Sequence, residues 1–374
     1  MPFAEKPPDP LGPARAAFIA PETRWYVPPG PFLLESGARL DQLQVAYRTW
    51  GRLSPAGDNA VVVCHAFTGS ADVDRWWAKM FGPGRALDPE RDFVVCSNVL
   101  GSCYGTTGPT SHRPDGVGRW GGDFPAVSVR DLVRVQAALL DALGVRRLRL
   151  AIGGSLGGMQ ALEWALLRPE RVEAIVPVAV SARHSAWCIA LSEAQRQAIY
   201  ADPRWRDGRY PDGDGPEAGL AVARQIAMCT YRSRASLEAR FSRDQPQPGH
   251  FAVEGWLQHH GRALVDRFDA ATYVTLTKAM DTHDVGRGRG GWKEALRAVP
   301  VPALVVSIDS DVLYPPVEQE ELAAALPGGR LATLASPHGH DAFLIEGEAM
   351  NALVRGFRKD LESRQRREER TWVA

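Results

Sequence analysis

Short, wholly apolar runs alternate with amphipathic ones along much of the chain. Ala60–Cys64 (AVVVC) contains no polar residue, the pattern of a strand covered on both faces. Asp92–Val99 (DFVVCSNV), with its apolar centre, is another buried-strand candidate. Val127–Leu143 places apolar residues at three- and four-residue intervals, the period of an amphipathic helix, and Gly144 ends it. Arg147–Ile152 then reads as a strand, Met159–Leu167 as a helix and Val172–Val180 as a strand. This alternation predicts a mostly parallel α/β sheet with right-handed crossovers and helices on its faces. Ahead of it, Leu33–Leu53 alternates apolar and polar positions, most clearly over Gln42–Thr49, and predicts antiparallel strands at a sheet edge.

The character changes at about residue 182. From there to about 297 the chain is helical and irregular, rich in Arg, Trp and Gly, with no buried-strand run. Strand signals resume at Pro302–Ile308 and Arg330–Leu334, and a final helix is predicted over Gly347–Leu361. Its continuation, Lys359–Arg370, is a charged end running into solvent. The pattern divides into an irregular, Pro-punctuated leader (1–30), an α/β core (31–181 and 299–374) and a helical lid insertion (182–298).

Composition narrows the function. Lys plus Arg and Asp plus Glu are 44 each in 374 residues, so no net field favours nucleic acid or an anionic membrane. The five cysteines are scattered and form no C-x-x-C, which argues for reduced thiols rather than a disulfide framework. Met1–Pro13 lacks an apolar signal core, and no apolar run approaches the ~20 residues of a membrane span. A cytoplasmic protein is expected.

The candidate chemistry sits between the predicted strand and helix at 147–167. Gly153-Gly154-Ser155-Leu156-Gly157 has the G-x-S-x-G spacing of a nucleophile elbow, a tight strand-to-helix turn that lifts a serine hydroxyl clear of a sheet. Such a serine needs a base, a group to orient the base, and donors for the developing oxyanion. In α/β-hydrolase folds the acid and then the histidine follow the serine along the chain. Asp309 and Asp311 follow one predicted strand, and His338 and His340 the next, so two aspartates and two histidines compete. The N–H of Leu156 is the first candidate oxyanion donor, and His65, ending strand 60–64, marks the place of the second.

The motifs extend well beyond the elbow. His65-Ala66-Phe67-Thr68-Gly69, Asn98–Gly105 (NVLGSCYG), Ser128–Gln136 (SVRDLVRVQ), Gly153–Gln160, Ser181-Ala182-Arg183 and Gly219–Arg224 (GLAVAR) are followed by Arg267-Phe268-Asp269, Ser310–Pro316 (SDVLYPP) and Gly339–Leu344 (GHDAFL). Over about residues 30 to 357 the chain resembles the homoserine O-acetyltransferase family, acyl-CoA-dependent transferases on the α/β-hydrolase fold. The resemblance implies Ser155 as nucleophile, Asp311 as orienting acid, His340 as base, and the N–H groups of Phe67 and Leu156 as the oxyanion hole. It also implies that Arg224 and Asp341 hold the amino-acid substrate, an arginine suiting an α-carboxylate and an aspartate an α-ammonium. Phe67 stands where the family more usually has leucine, Ser102 where it often has glycine, and the segment from Ser70 to Trp77 is shorter than in many relatives.

The implied reaction moves an acetyl group from acetyl-CoA to Ser155 and then to the hydroxyl of L-homoserine, a step of methionine biosynthesis. Acetyl-CoA is a co-substrate; no cofactor and no metal are implied, and His259-His260 and His283-Asp284 lack the spacing of a ligand set. The helical insertion would shield the acyl-enzyme from water and make a homodimer. Trp187, Tyr231 and Trp256 are candidates to line its tunnel, against an ordinary core role for each. Arg287-Gly288-Arg289 is a candidate for the coenzyme A nucleotide, against a solvated loop. A succinyl donor, a serine acceptor, or water as in an esterase or thioesterase could all be served by the same triad.

Overall fold

The computed structural model describes residues 2–7 and 17–373. Alternate residues of Ala60–Cys64 feed two different cores. Val62 and Cys64 point into a cluster with Leu132, Met159 and Trp164, whereas Val61 and Val63 join one with Trp77, Met350, Val354 and Phe357. That is why this strand carries no polar residue: it has no solvent face.

Nine strands form the main sheet: β1 (Phe3–Ala4), β2 (Arg24–Tyr26), β3 (Val45–Trp50), β4 (Ala60–Cys64), β5 (Phe93–Ser97), β6 (Leu148–Gly154), β7 (Ile175–Val178), β8 (Ala303–Ile308) and β9 (Gly329–Leu334). Their order is β1-β2-β3-β5-β4-β6-β7-β8-β9. The neighbours from β5 through β9 pair in parallel, and β1, β2 and β3 add an antiparallel edge. β4 has β5 on one side and β6 on the other, so the connections leave it in opposite directions. The crevice this opens at the carboxyl ends of β4 and β6 is where an open α/β sheet binds its ligand.

Helices α1 (Val129–Ala142) and α2 (Leu156–Leu167) fill the early crossovers. Ser128 caps α1, with Asp131 returning the bond in a capping box, so α1 starts two residues later than its apolar period suggests. The segment between β7 and β8 holds α3 (Ala186–Tyr200), α4 (Glu217–Tyr231), α5 (Arg234–Phe241), α6 (Ala252–Val265), α7 (Ala270–Asp281) and α8 (Trp292–Arg297). α9 (Pro316–Ala325) joins β8 to β9, and α10 (Gly347–Val373) closes the chain.

Three expectations change. The leader is not wholly irregular, because β1 and β2 lie in it and bury Trp25 and Tyr26 against the sheet; part of it, 8–16, lies outside the described residues. Strands this short carry no readable period. β7 is shorter than Val172–Val180, and α10 runs on through the charged tail, whose residues are strong helix formers.

Candidate active site

Ser155 sits at the end of β6 with φ 57° and ψ −124°, a conformation unfavourable for a residue with a Cβ. The turn holds because its neighbours are glycines. A Cβ on Gly153 or Gly157 would collide with the Cys64 carbonyl of β4, and one on Gly158 with Val180. The N–H of Ser155 is spent on the Val178 carbonyl at 2.9 Å. That leaves the N–H groups of the first turn of α2, beginning with Leu156, without intrahelical acceptors.

The acid and the histidine come from the loops after β8 and β9. Nδ1 of His340 lies 2.7 Å from Oδ2 of Asp311. Oδ1 of Asp311 accepts the N–H groups of Leu313 at 2.8 Å and Tyr314 at 3.0 Å, which fixes the carboxylate. The rings of Tyr231, Tyr314 and Phe343 surround the imidazole at 5.4–5.7 Å between centroids. Burial pulls the His340 pKa down, but the charge and hydrogen bond of Asp311, with the charge of Asp341, outweigh it and leave the pKa raised.

The competing pair has other work. Asp309 Oδ1 accepts the N–H of Ser336 at 3.0 Å, and His338 Nδ1 pairs with Ser236 Oγ at 3.2 Å. The first ties two loops together, the second ties a loop to α5, and neither residue lines the cavity that holds Ser155.

That cavity measures about 440 Å³. Ser155, His340, Phe67, Arg224 and Asp341 all line it, so five of the seven sequence candidates come to one place, and Asp311 reaches it through its bond to His340. Leu156 directly follows Ser155 beneath them. Arg224 stacks on Tyr231 at 5.1 Å, and its Nη1 is buried without a hydrogen-bond partner. Asp341 lies 3.3 Å from Arg232 Nε. Burial raises the Asp341 pKa, with the charges of Arg224, Arg232 and His340 working against the rise.

The loop that follows β4 is pinned from within. His65 Nε2 accepts the N–H of Val99 at 3.0 Å, which puts its proton on Nδ1, 2.8 Å from the Ala66 carbonyl. Burial lowers the His65 pKa to about 4, so the ring is a neutral spacer.

Of the candidate tunnel residues, only Tyr231 lines the cavity. Trp187 is 51% exposed and Trp256 packs on Phe241 and His260. Arg287 and Arg289 are paired with Glu35 and Glu163, away from the cavity. Arg267 does line the cavity and was missed as a site residue, although it opens a motif of its own. Sequence shows an arginine there but not what it faces.

Residues 59–347 match a family model described as the alpha/beta hydrolase fold. The chain is 58% identical over 345 residues to a homoserine O-acetyltransferase of Trichormus variabilis, covering 92% of this chain and 96% of that protein. The chain belongs to the homoserine O-acetyltransferase family. A Chlorobium chlorochromatii homoserine O-acetyltransferase is 54% identical, over 93% of this chain and 99% of the other. Among solved structures, esterase E22 superposes with a TM-score of 0.84 at 26% identity, covering 91% of this chain and 99% of that one. A homoserine O-acetyltransferase from Bacillus anthracis has a TM-score of 0.83 at 24% identity, covering 90% and 97%, and shares the fold. The family is thus one of acyltransferases on the scaffold that also carries esterases.

Proposed function

We propose that this chain transfers the acetyl group of acetyl-CoA to the hydroxyl of L-homoserine through an acetyl-Ser155 intermediate. One observation carries the choice of acceptor: the cavity that holds Ser155 and His340 also holds Arg224, with a buried and unpartnered Nη1, and the carboxylate of Asp341. An α-amino acid carries the two charges that complement these side chains, its ammonium sharing Asp341 with Arg232. Its carboxylate meets Arg224 and its ammonium meets Asp341, which aims the side-chain hydroxyl along the cavity.

His340 Nε2 takes the Ser155 proton as Oγ attacks the thioester carbonyl. The oxyanion is received by the N–H groups of Phe67 and Leu156, CoA leaves with the proton from His340, and acetyl-Ser155 remains. The homoserine hydroxyl then gives its proton to His340 and attacks the ester, releasing O-acetylhomoserine and free Ser155. Acetyl-CoA is consumed as a co-substrate, and the route calls on side chains and backbone alone. The likeness to esterase E22 supports a second reading in which water is the acceptor.

Exposed Trp187, Ile189 and Val222 on α3 and α4 support a homodimer made through the helical insertion. Five free cysteines, four of them buried, suit the reducing cytoplasm. The test is CoA release from acetyl-CoA or succinyl-CoA, with homoserine, serine or no acceptor. Release that requires both acetyl-CoA and homoserine is expected. Release without an acceptor would make the protein a hydrolase.

A further inference from the structure

Arg267 sits between α6 and α7, in the insertion, yet two of its hydrogen bonds go to Thr68 in the loop after β4 and the third to Tyr104 in the loop after β5. Its Nη1 donates to the Thr68 carbonyl at 2.7 Å and to the Tyr104 hydroxyl at 2.5 Å, and its Nη2 to Thr68 Oγ1 at 3.3 Å. We propose that Arg267 is a positioning residue for the oxyanion hole, clamping the Thr68 peptide so that the Phe67 N–H stays aimed at the acyl oxygen.

The geometry of one peptide unit gives the reason. The N–H of Phe67 and the carbonyl of Ala66 belong to the same planar group and point in opposite directions. The Ala66 carbonyl is held by His65 Nδ1 at 2.8 Å and by the Gly69 N–H at 2.9 Å. This fixes the peptide at its upstream end. Downstream, among the described residues, the side chain that holds the Thr68 carbonyl is Arg267. The ring of Phe67 is held from the same insertion, 4.6 Å from Tyr273 and 6.1 Å from Phe268 between centroids. The insertion therefore closes over the loop and bolts it down with one cation and two aromatic rings.

Arg267 differs from the other arginine in this part of the wall. Arg224 keeps a buried Nη1 free, as a ligand-binding guanidinium should. Both terminal nitrogens of Arg267 already serve protein acceptors. An anion recruiting it would have to break the clamp. Its contribution then belongs to the transition states, which form at the oxyanion hole in both half-reactions, and not to homoserine binding.

The inference rests on Ser155 being the acyl carrier, so the test includes a reaction that needs Ser155 and the oxyanion hole but no homoserine. Arg267→Met and Arg267→Lys are made in the full chain. Each is measured for its rate of Ser155 labelling by a fluorophosphonate, its kcat and homoserine KM, and its melting temperature. In the Met variant, labelling rate and kcat are expected to fall together by about 10- to 100-fold, the effect of misaiming one donor, with KM within about threefold of wild type. Lysine keeps a donor for the Thr68 carbonyl and should restore part of both rates. If the Met variant does not fold, the Lys variant must show the same joint fall, smaller in size. A raised KM with unchanged labelling would overturn the clamp and make Arg267 a substrate ligand. Labelling and kcat both near wild type in a folded variant would overturn it as well. A wild-type protein that takes no label would remove the Ser155 reading, and the clamp with it.

Discussion

Nδ1 of His340 meets Oδ2 of Asp311 at 2.7 Å, and the other oxygen of Asp311 is held by two backbone N–H groups. The aspartate is locked before it touches the histidine, so it sets both the orientation and the proton affinity of the ring. In the proposed reaction His340 is the base, and an imidazole accepts a proton only when neutral. Its pKa is raised, so the protonated, inactive form persists to higher pH than for an ordinary histidine at about 6.5. The acid limb of kcat/KM is therefore expected above that value, with activity lost as pH falls through it. Asp311→Asn should lower kcat by roughly 10³- to 10⁴-fold and move the limb to lower pH. A pH–rate profile of both proteins checks this; an unmoved limb would count against the pairing.

Ser155→Ala is expected to fold normally and lose turnover by about 10⁴-fold or more. Rapid quenching with acetyl-CoA alone should leave one acetyl group on the wild-type protein and none on the variant. Acetylation of the variant, read by intact mass, would mean that another residue carries the acyl group.

Arg224→Ala and Asp341→Ala separate binding from chemistry. Each removes one charge that the amino acid would pair with, a contact of about 1.5–3 kcal/mol. The homoserine KM should rise roughly 10- to 100-fold, while acetylation of Ser155 by acetyl-CoA proceeds at close to the wild-type rate. Slowed acetylation, measured in a single turnover, would place these residues in the chemistry instead.

A buried polar chain braces the elbow helix. Gln136 Oε1 accepts Trp164 Nε1 at 2.8 Å, Gln136 Nε2 donates to Gln160 Oε1 at 2.8 Å, and Gln160 Nε2 donates to the Leu156 carbonyl at 3.0 Å. Gln136→Leu keeps the volume but strands two buried polar atoms. A loss of about 1–3 kcal/mol is expected as a lower denaturant midpoint at unchanged m-value. A stability equal to wild type would show that the chain is not satisfied in solution.

Much of this is legible in the amino-acid sequence alone. The apolar runs at Ala60–Cys64 and Pro302–Ile308 marked central strands because a strand covered on both faces tolerates no polar residue. The elbow was legible because only glycine fits beside the Cys64 carbonyl, so sequence records the steric demand directly. The order of Ser155, an aspartate and a histidine could be read as well, since each follows a strand at the same end of the sheet. Which aspartate and which histidine was not decided by spacing. Asp309 and Asp311 lie two residues apart, as do His338 and His340, and local pattern treats each pair alike. The family motifs pointed to Asp311 and His340, and packing separates them physically, by turning Asp309 and His338 into loop contacts.

The role of Arg267 belonged wholly to the tertiary structure. It lies 199 residues from Thr68, and a hydrogen bond over that separation leaves no periodicity and no spacing rule. The same holds for Arg224 and Arg287, two arginines on the same insertion. One is left with an unpartnered nitrogen in the cavity and the other is paired with Glu35. Sequence determined the sheet, the elbow and the type of chemistry, because these follow from local sterics and from the alternation of buried and exposed positions. Tertiary structure decided which charges remain unpaired at the serine. That depends on which partners distant segments bring, and only the folded chain sets it.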